Sequence, residues 1–339
     1  MSSEPAIPTG LVVEAEALIG DEDSTFEDDQ ESTISLSSSI RGHVYENGRR
    51  YHAYGEREYL APNDEAENAR LDMHHHLATL LINGKLHVAP IGQHPQRILD
   101  LGCGTGIWSI DMGDAYPSAE VIGVDISPTQ PSIVPPNVRF EVDDIEHIWT
   151  YRSQFDLIHA RFLAAAIADW PKLVGQVYEF TKPGGWCEFK DWDLQIYSTD
   201  NTLPKDSHIQ RFHDLTLDAL EKLGVVHSPA PKLKGWVEAA GFQDVHEDIE
   251  PLPIGSWPKE KRLKEIGIWN RAQFEDGLEA ICLRLWTSVL GWNKEEVQLF
   301  LVEMRKELKN KAIHAQWKYH IVFGQKPRHR SGTSEEDST

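Results

Sequence analysis

Three glycines in a row of alternating positions follow a short apolar run. ILDL (98–101) leads into GCGTG, with Gly102, Gly104 and Gly106. Glycines at such spacing let backbone N–H groups approach a ligand closely and open a helix. Gly-x-Gly also begins the dinucleotide fingerprint, but here the third glycine comes one residue too early for G-x-G-x-x-G. Asp100 precedes the loop by two residues. A carboxylate there would face an anionic pyrophosphate badly and suits a ligand with an ammonium group, such as the methionine end of S-adenosylmethionine. Asp125 closes VIGVD, followed by Ile126. An acidic residue closing a second strand, about twenty residues after the loop, accepts hydrogen bonds from ribose hydroxyls. In DDIEHIW (143–149) an Asp can accept from an adenine amino group. Asp143 and Asp144 compete for this role, with Asp144 favoured, Ile145 beside the ring, and Asp143 equally suited to capping a helix. HARF (159–162) places His159 and Arg161 after a further strand, where ligands of open α/β sheets bind. His159 is thus a weak candidate for a catalytic base.

These residues need a sheet to hold them. Strand patterns at 98–101, 121–126, 138–142, 155–160 and 186–192 alternate with helices, one through Ile110 and one near 172–182, and PGG at 183–185 reads as a turn. Helices near 206–223 and 231–240 precede a strand at 242–250. A helical stretch of about 259–311 separates it from the last strand, 317–327. The fold class is α/β, with a Rossmann-like, doubly wound, seven-stranded and mostly parallel sheet. The last two strands should pair antiparallel at one sheet edge. Before the first of these strands, an Asn-Gly turn and a helix capped at Asn63-Asp64 suggest an N-terminal cover over the pocket mouth, with Tyr51 or Arg49 near the methionine end. Trp108, Trp149, Tyr51 and Trp192 are candidate faces for a sulfonium. In the helical insertion Ile266, Trp269, Leu278, Ile281, Leu285 and Trp286 recur at helical spacing. Most should be core, with one or two, such as Trp269, lining an acceptor site. His74, His75 and His76 are adjacent, but successive helix positions point about 100° apart, so no shared metal is expected.

Composition narrows the classes. The chain has 339 residues and a net charge of −21. Ten acidic residues and no Lys or Arg fall in residues 1–40, leaving −11 for the rest. This field disfavours direct nucleic-acid binding. Residues 1–40 and 328–339 read as disordered tails, around a cover at 41–96 and a catalytic domain at 97–327. Three dispersed cysteines suggest a reducing compartment, no apolar run approaches the ~18 residues of a membrane span, and MSSEPAIPTG lacks signal-peptide character. A soluble cytoplasmic or nuclear protein is expected.

The runs LDLGCGTGIW, VIGVDISP, VRFEVDD, FDLIHARF and KPGG resemble the class I S-adenosylmethionine-dependent methyltransferases. YENGRRYHAY, PNDEAENARLD, IADW, KEIGIWNRAQFEDGLEAICLRLWT and IHAQWKYHIVFGQKP make the chain similar, more narrowly, to the fungal LaeA-like family of secondary metabolism, associated with velvet-type regulators. The similarity spans about residues 40–327. It implies S-adenosyl-L-methionine as cofactor, Gly102, Gly104 and Gly106 in the cofactor loop, Asp125 on the ribose and Asp144 near the adenine. It implies no agreed catalytic base. It leaves two roles open: methylation of a small-molecule metabolite, or regulation with velvet-type protein partners.

Overall fold

The computed structural model describes residues 43–52 and 61–328. The segments read as tails fall outside the described residues, apart from Arg328. Seven strands form the main sheet: β3 (Arg97–Leu101), β4 (Glu120–Asp125), β5 (Val138–Val142), β6 (Phe155–Arg161), β7 (Thr181–Tyr197), β8 (Gln243–Pro253) and β9 (Gln316–Gln325). Their order is β5-β4-β3-β6-β7-β9-β8. Only β9 runs against its neighbours, and it enters between β7 and β8. The antiparallel pair expected at the edge is therefore present, with β8 outermost.

Side-chain alternation sorts the central strands. Leu99, Leu101, Ile122, Val124, Ile158 and Ala160 pack against α3 (Trp170–Phe180) and α5 (Ala230–Ala239). Ile98, Val121 and Leu157 face the other way, onto Trp108 and Met112 of α2 (Ile107–Ala115). Asp100 therefore shares the α2 face, and the parallel register sets it beside Gly123 on β4 and His159 on β6. His159 in turn neighbours Glu188, and Arg161 neighbours Lys190, on β7. Residues far apart in sequence are thus drawn into two polar rows on one sheet face.

A two-stranded hairpin, β1 (His43–Glu46) and β2 (Arg49–His52), turns at Asn47-Gly48, where both residues have positive φ. Helix α1 (Glu65–Leu81) starts at Asp64, whose carboxylate accepts the Glu67 N–H and pairs with Arg49 at 2.6 Å. The insertion is two helices rather than one stretch: α6 (Lys261–Val289) and α7 (Lys294–Leu308), the latter opened by an Asn293–Glu296 capping box. Helix α1 packs on α6, and Leu77 and Leu81 join a second core with α4 (His208–Lys222), α6 and α7. The cover therefore shares its core with the insertion. A Cβ on Gly277 of α6 would stand 2.8 Å from the Arg70 side chain, so this helix-interior glycine serves the close approach of α1. PGG does not precede the fifth strand as a turn. It lies inside β7, where the pairing with β6 slips between Phe155 and Leu157 and the extra residues bulge.

Candidate active site

A cavity of about 290 Å³ opens along the carboxyl ends of β3, β4 and β6. Its first wall is the glycine loop. Gly102, Gly104 and Gly106 all have positive φ, and a Cβ on Gly102 or Gly106 would run into Leu163 or the Phe140 ring. Asp125 lines the same wall. Its Oδ2 accepts the Gly104 N–H at 2.8 Å and its Oδ1 the Ser127 N–H at 2.9 Å. Burial raises its pKa, and those N–H bonds oppose the rise. Each carboxylate oxygen keeps a second lone pair for a ligand hydroxyl.

The roof is α1. Leu71 lies over Gly104, with 3.5 Å between its Cδ1 and a Cβ built there. Thr105 donates to Asp72 at 2.8 Å. His75 bridges Asp111 of α2 at 2.9 Å and Arg161 of β6 at 2.9 Å. Asn68 Oδ1 and Asn63 Nδ2 are buried on this lining without partners among the described residues. Helical spacing separates a stripe of Asn68, Leu71, Asp72 and His75 toward the glycine loop from a stripe of Glu67, Arg70 and His74 toward α6. The second stripe meets Gln273, and beyond it Phe162, Trp192, Phe212, Phe274 and Trp317 complete an aromatic chamber.

The structure sorts the candidate residues. Gly102, Gly104, Asp125 and Arg161 line the cavity. Asp100 lies beneath the loop, accepting from Ser109 at 2.8 Å and paired with His159 Nδ1 at 2.8 Å. Burial pushes its pKa up to about 7, against the pull of Arg161. Gly106 is the cap of α2 rather than a wall. Ile126, Asp144 and Ile145 also fall outside the lining. Asp144 accepts the Glu146 N–H at 2.9 Å, and Ile145 accepts from the Trp149 indole at its carbonyl.

Placement of His159 on the pocket wall is corrected. It shares the face of Arg161 but sits two residues deeper, fully buried and stacked on Trp108 at 3.7 Å. An acceptor molecule cannot reach it. Burial, with Lys190 and Arg161 nearby, lowers its pKa well below the usual value. Tyr51 and Arg49 are corrected too. Tyr51 is buried under the Arg284 guanidinium, 4.5 Å from its ring, and Arg49 holds Asp64, so the hairpin braces α6 and the α1 cap. Of the four sulfonium candidates only Trp192 lines the cavity. Trp269, 36% exposed, stands edge-on to His76 on the outside. From the stripe, Ile281 and Leu285 line the cavity rather than Trp269, joined by Gln273, Phe274 and Ala280 of the same helix. The three adjacent histidines diverge to Gln273, Asp111 and Trp269.

Sequence reasoning missed His74, Gln273, Phe274, Phe212 and Trp317 as one chamber. They come from three helices and a strand, and no local spacing connects them. The one available signal was the polar Asn270 and Gln273 inside the apolar stripe of α6.

Residues 73–247 match a family model described as a methyltransferase domain. The chain is 44% identical over 308 residues to the methyltransferase pytC of Aspergillus terreus, covering 91% of this chain and 95% of that one. It is 37% identical over 290 residues to the secondary metabolism regulator LAE1 of Cochliobolus heterostrophus, covering 84% and 94%. Among solved structures, phosphoethanolamine N-methyltransferase 2 of Haemonchus contortus in complex with S-adenosyl-L-methionine aligns with a TM-score of 0.50 at 14% identity. That alignment covers 89% of this chain and 75% of the other and supports the fold. The sheet order, the glycine loop after its first strand and these relatives agree: the chain belongs to the class I S-adenosylmethionine-dependent methyltransferases, among the fungal LaeA-like proteins.

Proposed function

We propose that the chain transfers the methyl group of S-adenosyl-L-methionine to a small-molecule acceptor of fungal secondary metabolism. One observation carries the reading: a single cavity joins the glycine loop and Asp125 to an aromatic chamber built by α4, α6 and β9. The cofactor end fits such a donor. The loop keeps a positive-φ backbone that side chains would disrupt, Asp125 offers lone pairs to ribose hydroxyls, and Asn68 Oδ1 is an acceptor on the same roof with no partner among the described residues. Arg161, held by His75, is the cation on that side of the cavity for a methionine carboxylate. Asp144, with Ile145, remains the proposed adenine neighbour.

When bound, the donor supplies a reactive sulfonium methyl, transferred by in-line displacement. The protein's share is to exclude water and hold the acceptor in line, an effect worth up to roughly 7–11 kcal/mol in model systems. Helix α1 and the ring-walled chamber supply that enclosure. The test incubates the purified chain with methyl-labelled S-adenosylmethionine and a small-molecule extract of a strain lacking the gene. Label should enter the low-mass fraction. Label confined to protein would refute this reading.

The second reading is a regulator that binds velvet-type proteins, with a protein substrate. It is supported by the 37% identity to a relative named as a secondary metabolism regulator. Label appearing in a velvet-type protein, with none in small molecules, would favour it.

A further inference from the structure

The chamber beyond the glycine loop holds few polar groups, and nearly all have protein partners. His213 pairs its Nδ1 with the Ile209 carbonyl at 2.8 Å and its Nε2 with the Trp317 indole at 3.1 Å. The indole only donates, so this imidazole is neutral with its proton on Nδ1. Burial lowers its pKa to about 4. Thr216 accepts from the Trp286 indole, Arg70 binds Glu67, and Gln273 Nε2 donates to Asn270 at 2.8 Å.

His74 differs. Its Nε2 lies 2.5 Å from Gln273 Oε1 and 2.7 Å from Arg70 Nη1. Its ring packs on Phe162 and Trp192 at centroid distances of 4.8 and 5.2 Å and is 4% exposed. Yet its Nδ1 is buried with no partner among the described residues. A buried ring nitrogen without a hydrogen bond is costly, and a ligand group is what would satisfy this one.

We propose that His74 Nδ1 holds a hydroxyl of the acceptor, and that the acceptor is an uncharged ring compound methylated on that oxygen. The inference rests on the methyltransferase reading above. A hydroxyl both donates and accepts, so it suits Nδ1 in either tautomer. A carboxylate would find Arg70 already neutralised by Glu67. An ammonium group would lose its water in a chamber whose Glu67 carboxylate is already paired with Arg70. Flat rings match the walls of Phe162, Trp192 and Phe274.

The step balances. The acceptor oxygen bonds to the methyl carbon, and the donor's carbon–sulfur bond breaks, leaving its electron pair on sulfur. The hydroxyl proton passes to Nδ1, and the imidazolium gives it up to water when the methylated product leaves and the chamber opens to solvent. In the tautomer that performs this, Nε2–H points to Gln273 Oε1, the Arg70 Nη1–H turns to the same oxygen, 3.3 Å away, and Nδ1 accepts. Burial and the Arg70 charge hold the imidazole neutral well below its usual pKa, so it releases the proton instead of storing it. A weak base suffices because the oxygen grows acidic as its bond to carbon forms.

The test measures calorimetric binding of four probes to the chain saturated with S-adenosylhomocysteine: 2-naphthol, naphthalene, 2-naphthoate and 2-naphthylmethylamine. The expected result is naphthol bound at least fivefold tighter than the other three. In His74→Leu that preference should vanish, with S-adenosylhomocysteine affinity unchanged within twofold. His74→Asn is a second variant, and the wild-type ranking decides alone if neither variant folds. Tightest binding of the acid or the amine, equal binding of all four, no naphthol binding, or a preference surviving in the variant overturns this proposal alone. Failure of the chain to bind S-adenosylhomocysteine overturns the methyltransferase reading and this proposal with it.

Discussion

Asp125 Oδ2 accepts the Gly104 N–H at 2.8 Å, so the carboxylate that closes β4 also pins the middle of the glycine loop. The loop and the proposed ribose site are therefore one unit. Asp125→Ala should weaken S-adenosylhomocysteine binding by about 10- to 100-fold, the loss of one charge-assisted bond at roughly 1.5–3 kcal/mol. Asp125→Asn, which can still accept from Gly104, should lose less. Calorimetry on both variants checks this, and equal losses would separate the loop from the ribose contact.

The two aromatic residues of α6 should behave differently. Phe274 packs against Phe212 and Trp317 in the chamber, whereas Trp269 stands on the outer surface. Phe274→Ala should cost about 3–5 kcal/mol of stability and abolish acceptor turnover. Trp269→Ala should change either by little. Urea unfolding and a product assay compare them, and a selective loss of turnover in Trp269→Ala would move the acceptor to the outer face of α6.

Lys190 and Glu188 form a fully buried ion pair at 2.7 Å, and Glu188 also accepts the Val88 and Ala89 N–H groups. Lys190→Met strands the carboxylate in the core. The expected cost is about 3–5 kcal/mol in urea unfolding. A change under 1 kcal/mol would mean that water reaches Glu188.

Asp191 gives a pH signature. Burial raises its pKa to about 7, although it accepts from Leu163 and Trp192. The folded chain then keeps a proton that the unfolded chain releases near pH 4. Stability from this group is present at low pH and is lost as pH rises from about 4 through about 7. Relative to Asp191→Asn, the wild-type chain should lose on the order of 2–4 kcal/mol between pH 4 and pH 8. A difference constant across that window would place the carboxylate in solvent. His213, held low by burial, contributes the opposite slope between about 4 and 6.5 in both proteins, so the comparison cancels it.

Much of this was legible in the chain because it is local. The strand runs, the GCGTG loop and Asp125 each follow from period-two patterning and turn chemistry within a few residues. What was not legible depended on depth and on distant pairing. His159 and Arg161 share a strand face, but only the packing of Trp108 shows that His159 is sealed. The stripe on α6 gave its helical period but not its orientation, so it took in Trp269, which stands outside, and passed over Phe274, which lines the chamber. The partnership of His74 with Gln273 spans 199 residues and exists only because α1 lies against α6. PGG read as a turn because the positive φ that Gly184 supplies serves a bulge within β7 just as it would a turn.

The most direct test of the account is calorimetric titration of the purified chain with S-adenosylhomocysteine and, separately, with NAD. The account predicts micromolar binding of S-adenosylhomocysteine at one site per chain, weakened at least tenfold in Asp125→Ala, and no heat from NAD. A silent titration with S-adenosylhomocysteine, or tight binding of NAD in its place, would contradict it.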